Sequence, residues 1–577
     1  MNNDISIILS GYSGEGIQHM GYHLSYIIYK NNYYIKTFSD IPSEIFSPTQ
    51  KITDISEFII KFSRKKIISY FKTKYCILLS TNYLSLKKNI DKIKNKGVII
   101  IDFDKKNYNF LKNDKILLKR IKKKRYIKLN SVNYINFSLL IKYKIKKLSN
   151  INLLKNSLFI GFLVFYFNLS KKYSIYFLKK KFKNKNIFFL NYYLFKIGIK
   201  IGEKKKLFYK NNTKIAKKEI AKNYKIINGN LGIVLGIISS SIKYKIGIFY
   251  SSYPITPSIT ITKYLIKNKN YIDLKIFNAE DEISAICTSI GASINIKKLL
   301  GIIATSGPGM SLIQESLGFA VVLEIPLLII NVQRVGPSTG FPTKLEQSDL
   351  MQSIYGRHGE APIPVFSINK INNTIHIIYN IIKISLELKT PIIVLSDIYI
   401  ANNLSLWNKI KYKNLKYKKI KIKSVINKKK FKCLGGLVKN IDKHHEVIKK
   451  RQNKINLIIK NYINITYILK GNKNGNILVI SWGSTYEIIK ESIYFLIKKK
   501  YKIGYLHLIC LYPLPSNLIE KISKKYNKII IFELNNKQLF YIIKSYCKIN
   551  IKLYNVNKMT GYPFTKLEII KNIKKIL

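Results

Sequence analysis

The chain has 577 residues, 47% of them hydrophobic, and this length is too great for one core and predicts three or four domains. Its formal net charge of +71 is typical of a polyanion binder, yet only six of the 101 basic residues are Arg, the side chain that nucleic-acid recognition favours. Lys, Ile, Asn, Tyr and Phe all have codons made of A and T only, so an AT-rich genome explains the charge at least as well. We therefore expect no specific nucleic-acid partner.

The cysteines are scattered, without a CxxC pair: Cys76, Cys287, Cys433, Cys510 and Cys547. This pattern argues against a disulfide framework and against a cysteine-ligated metal or iron–sulfur cluster in this chain. The most apolar run, residues 157–167, is too short to span a bilayer, and the N-terminal residues lack the pattern of a signal peptide. We expect a cytoplasmic protein with no membrane partner.

The N-terminal part opens with an apolar strand pattern at residues 5–9, followed by the glycine loop SGYSGEGIQ and an amphipathic run. Such a loop can bind phosphate, but Gly11, Gly14 and Gly16 are spaced GxxGxG instead of the GxGxxG of a dinucleotide site. A tight turn within a βα unit explains the glycines equally well. We predict an α/β domain over residues 1–205 and a lysine-rich linker over residues 206–228.

From residue 229 the pattern becomes regular, because apolar strand-like runs alternate with helical stretches. This alternation predicts a doubly wound parallel sheet over residues 229–405. The motifs YPITPS, TSGPG and VQR each follow one of the strands, so we expect them to meet at one edge of the sheet. A lysine-rich connector over residues 406–474 and a C-terminal α/β domain over residues 475–577 complete the predicted organisation.

Hydroxyl and carboxylate groups in this middle part are candidates for binding and catalysis. Thr256 lies between two prolines and is predicted as a helix N-cap, with Pro257 in the first turn. Glu280, Asp281 and Glu282 open a second helix, where the helix dipole favours carboxylates. One of the three could instead point into a cleft and hold a protonated ring nitrogen.

Arg334 follows an apolar strand directly and precedes the loop VGPSTGFPTK. In that position a guanidinium could form two parallel hydrogen bonds to a substrate carboxylate. A surface turn is the alternative interpretation of the same residues.

Taken together, YPITPS, AEDE, TSGPG, VQRVGPSTGFPTK and YGRHGEAP resemble the α subunit of 2-oxoglutarate:ferredoxin oxidoreductases. These are thiamine-diphosphate enzymes that oxidatively decarboxylate 2-oxoacids to acyl-CoA. SGYSGEGIQ and TFSDIPSEI resemble a γ domain fused to the N-terminus, and SWGSTYE, LHLICLYPLP, FELNNKQL and KMTGYPFT resemble the C-terminal domain. The resemblance implies a multidomain α/β protein with a γ-type domain, a pyrimidine-binding domain over residues 229–405 and a transketolase-C-like C-terminal domain.

The resemblance also implies roles for individual residues. Glu282 would bond the aminopyrimidine N1′ of the cofactor, while Arg334 and Thr256 would hold the carboxylate and carbonyl of the 2-oxoacid; these three are the implied catalytic residues. The implied cofactor-binding residues are Glu282, Tyr253, Pro254, Ile255, Ser306 and Gly307. The implied substrate-binding residues are Thr256, Arg334, Ser338, Thr339, Thr343 and Lys344.

A β subunit is the main implied partner, since the chain has no GDG diphosphate-binding motif and no cysteine cluster. The β subunit would share the thiamine diphosphate and carry Mg²⁺ and a [4Fe–4S] cluster, and the assembly would be αβ or (αβ)₂. Ferredoxin would accept the electrons and CoA the acyl group. Phe46 stands where the family has Arg, which weakens a CoA contact from the γ-type domain. Pyruvate or a branched-chain 2-oxoacid is the alternative substrate, and a basic nucleic-acid binder is the alternative of another class.

Overall fold

A computed structural model of the chain describes residues 4–42, 55–64, 67, 74–129, 151–206, 220–294, 299–338, 341, 343–408 and 441–577. The chain divides into two compact units, the first comprising Met1–Ile226 with Leu404–Tyr412 and the second Ile227–Asn403 with Lys413–Leu577. The domain boundaries expected from the sequence stay a prediction.

The strands of the described residues are β1 (Ile5–Tyr12), β2 (Tyr34–Asp40), β3 (Ile55–Ser63), β4 (Tyr75–Ser80), β5 (Ile93–Ile101), β6 (Arg125–Lys128), β7 (Tyr224–Ile227), β8 (Gly247–Ser252), β9 (Leu274–Asn278), β10 (Leu299–Thr305), β11 (Leu327–Gln333), β12 (Val365–Ser367), β13 (Pro391–Asp397), β14 (Ser405–Asn408), β15 (Tyr467–Gly471), β16 (Gly475–Trp482), β17 (Ile503–Leu508), β18 (Cys510–Tyr512), β19 (Tyr526–Glu533) and β20 (Lys552–Asn557).

The α-helices of the same residues are α1 (Ile17–Lys30), α2 (Tyr83–Asn89), α3 (Lys105–Asn113), α4 (Lys115–Lys122), α5 (Ile151–Tyr166), α6 (Lys171–Lys181), α7 (Lys185–Lys204), α8 (Ile220–Asn223), α9 (Gly229–Tyr244), α10 (Ile259–Lys267), α11 (Glu282–Ile294), α12 (Gly307–Leu312), α13 (Gln314–Val322), α14 (Leu350–Tyr355), α15 (Thr374–Leu388), α16 (Ile398–Asn402), α17 (Ile441–Asn461), α18 (Ile463–Thr466), α19 (Tyr486–Lys498), α20 (Ser516–Ser523), α21 (Gln538–Tyr546) and α22 (Lys566–Ile576). None of these described helices is long and apolar enough to cross a membrane.

The first unit contains a mixed sheet with the strand order β6-β5-β4-β1-β3-β2-β14-β7. β1 pairs in parallel with β4 and antiparallel with β3. The glycine loop after β1 leads into α1. A Cβ on Gly11 would lie 2.2 Å from Thr81 Oγ1 and 2.4 Å from Glu15 Oε2, so this residue has no room for a side chain. Packing within the βα unit, which the tight-turn interpretation expects, thus accounts for Gly11.

Helices α5 and α7 of the first unit approach each other at two glycines. A Cβ on Gly161 would lie 2.0 Å from the carbonyl oxygen of Phe195, and a Cβ on Gly198 would lie 2.0 Å from that of Leu158. The two backbones can be this close only because neither glycine has a side chain. The contact buries neighbouring apolar residues such as Phe195 and Leu158 completely or nearly so.

The second unit contains a sheet with the order β18-β12-β13-β11-β10-β8-β9. Its strands β8 to β13 pair in parallel, and only β18 runs antiparallel to its neighbour. β8, β10, β11 and β13 coincide closely with the apolar runs of the sequence, because a strand covered on both faces must be apolar at successive positions. The predicted doubly wound sheet is confirmed.

The C-terminal sheet has the order β15-β17-β16-β19-β20 and shares one hydrophobic core with the preceding sheet of the same unit. Gln347 links the two. Its Nε2 donates to Asp397 Oδ2 (2.8 Å) and to Ser484 Oγ (3.2 Å). Its backbone N–H donates to the carbonyl of Leu534, and its own carbonyl accepts from Asn535 Nδ2 (2.8 Å). Side chain and backbone thus bind residues of both sheets.

Gly161→Ala should destabilise the first unit by roughly 1–3 kcal/mol, because the added methyl group meets backbone atoms that cannot move away alone. Lys200→Ala is the matched control: Lys200 is exposed on α7, and removing its side chain should change stability by less than about 0.5 kcal/mol. Urea unfolding followed by circular dichroism measures both. A wild-type midpoint for Gly161→Ala would contradict the close contact of α5 and α7.

Candidate functional site

Three polar motifs meet at one edge of the second unit's sheet. β10 lies between β8 and β11, and all three strands are parallel, so their carboxyl ends point the same way. YPITPS follows β8, TSGPG closes β10, and Arg334 follows β11 directly. The convergence expected from the sequence is confirmed, and this edge is where parallel sheets bind ligands.

Glu282 and Tyr253 meet at Gly309, the last residue of the TSGPG motif, which lies in helix α12. Tyr253 Oη and Thr305 Oγ1 are 2.5 Å apart. A Cβ on Gly309 would lie 2.4 Å from Tyr253 Oη and 2.7 Å from Glu282 Cγ, so the glycine leaves space for both side chains. Burial raises the pKa of Tyr253 above its ordinary value, and the charge of Glu282 acts in the same direction. Tyr253 is therefore neutral and can donate a hydrogen bond.

The three carboxylates at the start of α11 have different environments. Asp281 caps the helix, because its Oδ1 accepts a hydrogen bond from the backbone N–H of Ser284 (2.8 Å). Glu280 and Asp281 are exposed, whereas Glu282 is half-buried beside Gly309. Of the three, only Glu282 lies next to Tyr253 and Thr305 at Gly309.

Arg334 is a nearly buried cation, with 8% of its surface exposed. Its Nη1 donates to the carbonyl oxygen of Thr256 at 2.6 Å, while its Nε has no hydrogen-bond partner within the described part of the chain. Burial lowers the pKa of Arg334, and the neighbouring Tyr253, Asp349 and Glu282 act in the opposite direction. The guanidinium is thus tied to the YPITPS loop on one side and keeps a free donor.

The prediction that Thr256 caps a helix, with Pro257 in its first turn, is wrong. α10 begins only at Ile259, and the backbone N–H of Ile259 bonds to the carbonyl of Ile255 at 3.1 Å. The reason is the hydrogen bond from Arg334, which holds the carbonyl of Thr256 in a turn before the helix. The side chain of Thr256 is exposed at this edge.

Other implied cofactor residues lie on the same two loops. Pro254 is exposed, Ile255 is buried, and the peptide between Thr256 and Pro257 is cis. Ser306 is buried, and its Oγ has no hydrogen-bond partner among the residues described. This buried hydroxyl lies next to Gly307, where a side chain would have no room. It could form a hydrogen bond to a polar ring bound at this edge of the sheet.

The loop after Arg334 carries the remaining implied substrate residues. Ser338 is exposed and has a φ of 53°, and Thr339 lies outside the described residues. Thr343 Oγ1 is buried without a partner in the described structure. Lys344 Nζ lies 5.2 Å from the ring centre of Tyr562, which belongs to the KMTGYPFT motif. The C-terminal part of the chain therefore reaches the same loop.

Asp349 is a buried residue of this edge that the sequence analysis did not select. Asn331 Nδ2 donates to Asp349 Oδ2 at 3.0 Å, and a Cβ on Gly307 would lie 2.9 Å from Asp349 Oδ1. Burial raises the pKa of Asp349 to about 6, although the charge of Arg334 lowers it. The polar run EQSD, one residue after the PTK motif, was the available signal in the sequence.

Three family models match consecutive parts of the chain. Residues 6–201 match pyruvate ferredoxin/flavodoxin oxidoreductase, residues 241–459 the thiamine-diphosphate-binding part of pyruvate flavodoxin/ferredoxin oxidoreductase, and residues 475–569 core domain II of pyruvate:ferredoxin oxidoreductase. The 2-oxoglutarate oxidoreductase subunit KorA of Mycobacterium tuberculosis is 28% identical over the whole chain and 92% of its own length. The chain belongs to the 2-oxoacid:ferredoxin oxidoreductase family.

Further members of the family are similar in sequence and in structure. The 2-oxoglutarate synthase subunit KorA of Archaeoglobus fulgidus is 29% identical over 57% of this chain and 92% of its own length. A solved 2-oxoglutarate:ferredoxin oxidoreductase from Magnetococcus marinus is 25% identical, with a TM-score of 0.80 over all of both chains. The prediction of an oxidoreductase with a thiamine-diphosphate-binding domain is confirmed.

The stability of Asp349→Asn relative to the wild type should increase from low to high pH. The raised pKa means that folded Asp349 holds its proton better than unfolded Asp349, so its contribution is greatest at low pH and is lost as the pH rises through about 6. The stability of the variant relative to the wild type should grow by about 1 kcal/mol between pH 5 and pH 8. Urea titrations at both values measure it. Asp273→Asn, at an exposed site, is the control, and a pH-independent difference for Asp349→Asn would contradict the prediction.

Proposed function

We propose that this chain is the α subunit of a 2-oxoglutarate:ferredoxin oxidoreductase, which converts 2-oxoglutarate to succinyl-CoA by oxidative decarboxylation. One observation carries the proposal. Glu282 and Tyr253 meet at Gly309, and the buried Arg334 lies at the same edge of the sheet. Residues 229–405 would be the pyrimidine-binding domain. Relatives named for 2-oxoglutarate, which match over the whole chain or more than half of it, support the choice of substrate.

Glu282 would hold a protonated nitrogen of the cofactor's aminopyrimidine. Bound thiamine diphosphate supplies the chemistry that breaks the carbon–carbon bond of a 2-oxoacid and retains the electron pair. The half-buried carboxylate of Glu282 can accept a charge-assisted hydrogen bond, which is stronger where water is excluded. Tyr253 lies beside Glu282 at Gly309 and, being neutral, can donate a hydrogen bond there.

Arg334 would bind the C1 carboxylate of the substrate. A nearly buried guanidinium with an unpaired Nε can form two parallel hydrogen bonds to a carboxylate, and Thr256 lies beside it. Asp349 would act as a positioning residue, because its carboxylate lies against Gly307 and its charge partly offsets that of Arg334. Ser338, Thr339, Thr343 and Lys344 would line the entrance.

The partners that we propose are a β subunit, ferredoxin and CoA. The β subunit would bind the diphosphate end of the cofactor with Mg²⁺ and would carry the [4Fe–4S] cluster, in an αβ or (αβ)₂ assembly. The absence of GDG and of a cysteine cluster in the sequence supports this division. Relatives are themselves named as subunits. Pyruvate stays the alternative substrate, because the matching family models are named for pyruvate oxidoreductases.

Glu282→Gln should abolish 2-oxoglutarate-dependent viologen reduction by the reconstituted complex, because an amide keeps the shape but loses the charge that holds the protonated nitrogen. A charge-assisted hydrogen bond contributes about 1.5–3 kcal/mol in ordinary settings and more where it drives a chemical step. Folding of the variant, followed by circular dichroism, should be unchanged.

The matched control for this test is Glu280→Gln, an exposed carboxylate two residues earlier in the chain, which should leave the rate unchanged. Full activity of Glu282→Gln with loss of activity in Glu280→Gln would show that the assignment is wrong. A complex that turns over 2-oxoglutarate without thiamine diphosphate would overturn the proposed function itself.

Arg334→Lys should lower kcat/KM for 2-oxoglutarate by at least about tenfold, roughly 1.4 kcal/mol, since Lys cannot form the paired hydrogen bonds. Arg334→Ala should lower it further, and the affinity for thiamine diphosphate should be nearly unchanged for both. Arg451→Lys is the matched control, because Arg451 is equally buried and bonds to the carbonyl of Val322. Loss of cofactor binding with a normal KM would make Arg334 a cofactor residue instead.

A further inference from the structure

Asp349 precedes helix α14 directly, yet its side chain makes no capping hydrogen bond to that helix. An Asp at such an N-cap position normally accepts a hydrogen bond from a backbone N–H in the first turn. Helices α3, α4 and α16 follow this rule, because Asp104, Asp114 and Asp397 each accept from the backbone N–H three residues further on, at 2.8 or 2.9 Å. Asp349 therefore departs from the local preference of its residue type.

Gln538, the first residue of α21, supplies the missing cap of α14. Its Oε1 accepts the backbone N–H of Met351 at 3.1 Å, and this N–H is one of those that an N-cap side chain normally binds. Its Nε2 donates to the carbonyl oxygen of Ser348 at 2.6 Å. One carboxamide thus binds the backbone on both sides of Asp349.

The carboxylate of Asp349 is turned towards the candidate site instead of towards α14. Its Oδ2 accepts from Asn331 Nδ2 at 3.0 Å, and its Oδ1 lies against Gly307. The backbone N–H of Asp349 donates to Gln333 Oε1 at 3.2 Å, which ties the residue to the end of β11. In this orientation neither carboxylate oxygen caps α14, and the charge of Asp349 acts on Arg334.

The FELNNKQL motif holds Gln538 in place. The backbone N–H of Gln538 donates to Asn535 Oδ1 at 3.1 Å. The next two backbone N–H groups, of Leu539 and Phe540, donate to the two carboxylate oxygens of Glu533 at 2.6 and 3.0 Å. Glu533 and Asn535 are fully buried, so the start of α21 is fixed from within the protein. The direction in which the carboxamide of Gln538 leaves the helix is fixed with it.

We propose that Gln538 is a positioning residue for the substrate-binding site, because its carboxamide caps α14 in place of Asp349 and leaves the Asp349 carboxylate to face Arg334. The inference rests on the proposed function, in which Arg334 binds the C1 carboxylate of the 2-oxoacid. Gln538 does not itself touch the substrate and acts through Asp349. The C-terminal part of the chain thereby influences the affinity for the substrate.

Loss of the Gln538 carboxamide should change the orientation of Asp349. The backbone N–H of Met351 would then have no acceptor, and an unsatisfied N–H at a helix start costs free energy. The Asp349 side chain already occupies the N-cap position and can accept this N–H by rotating about its own side-chain bonds. Such a rotation takes the carboxylate away from Asn331 and Gly307, and Arg334 loses its neighbouring charge.

The first test is Gln538→Met in the complex reconstituted with the β subunit. Met keeps the length of the side chain but removes both hydrogen bonds to the backbone around Asp349. KM for 2-oxoglutarate should rise about fivefold or more while kcat stays within about twofold, because the change weakens substrate binding and touches no reacting atom. The circular dichroism spectrum of the variant chain should be that of the wild type.

Gln452→Met is the matched control. Gln452 is half-buried, as Gln538 is, and it also uses both ends of its carboxamide. Its Nε2 donates to Asn456 Oδ1 at 3.1 Å, and its Oε1 accepts from Tyr512 Oη at 3.0 Å. None of these three residues belongs to the candidate site, so KM should be unchanged.

The second test needs no substrate and uses the full chain alone. Burial raises the pKa of Asp349, so the stability of Asp349→Asn relative to its parent increases with pH. In a Gln538→Met background Asp349 should cap α14, and a carboxylate that accepts a backbone N–H has a lower pKa. Urea titrations should then show less than about half of the wild-type increase between pH 5 and pH 8. Arg334 and Glu346, the charged groups of the described residues that face Asp349, are common to both backgrounds.

Either of two results would overturn the inference. One is a wild-type KM for Gln538→Met in an active complex, which would leave Gln538 a purely structural residue. The other is an undiminished pH dependence in the Gln538→Met background. If Gln538→Met does not fold, Gln538→Ala takes its place in both tests. A wild-type complex without thiamine-dependent turnover of 2-oxoglutarate would reject the proposed function, whereas the pH test would still decide whether Gln538 orients Asp349.

Discussion

The candidate site depends on the missing side chain of Gly309. Tyr253, Thr305 and Glu282 come from a loop, a strand end and a helix start, and they meet where a Cβ would lie less than 3 Å from each of them. With any larger residue, the TSGPG segment or one of these three side chains would have to move. The hydrogen bond between Tyr253 and Thr305 and the present position of Glu282 therefore need glycine here.

Next to this contact, the protein buries opposite charges that would be more stable in water. Arg334 and Asp349 are both largely removed from solvent. Burial lowers the pKa of Arg334 and raises the pKa of Asp349, which favours the neutral form of each. Such burial costs free energy unless partners offset it. Here the carbonyl of Thr256 accepts from Arg334, the amide of Asn331 donates to Asp349, and each of the two charges favours the other. A pair kept under these conditions has its donors and acceptors oriented before any ligand binds, which is what binding a carboxylate in a fixed pose needs.

The sequence predicted the parts of this structure that local pattern determines. Strands β10, β11 and β13 are continuous apolar runs because both faces of the sheet are covered, and that property is visible residue by residue. Asp349 could not be selected in the same way. Its burial arises from packing against Gly307, which is distant in the chain, so in sequence it is an ordinary acid ahead of a helix. The wrong N-cap at Thr256 has the same origin, since a hydrogen bond from a side chain 78 residues away outweighs a local preference.

Gln347 restrains the second unit at the junction of its two sheets. The residue follows the loop that carries Thr343 and Lys344, and it bonds to Asp397 of one sheet and to Ser484, Leu534 and Asn535 of the other. Hydrogen bonds tolerate displacements of only a few tenths of an ångström before they weaken. A displacement of one sheet relative to the other would therefore have to break hydrogen bonds of Gln347. Exchange of residues 475–577 for those of a relative would preserve these bonds only if the incoming segment offered the same three contacts to Gln347, from a hydroxyl, a backbone carbonyl and a side-chain amide.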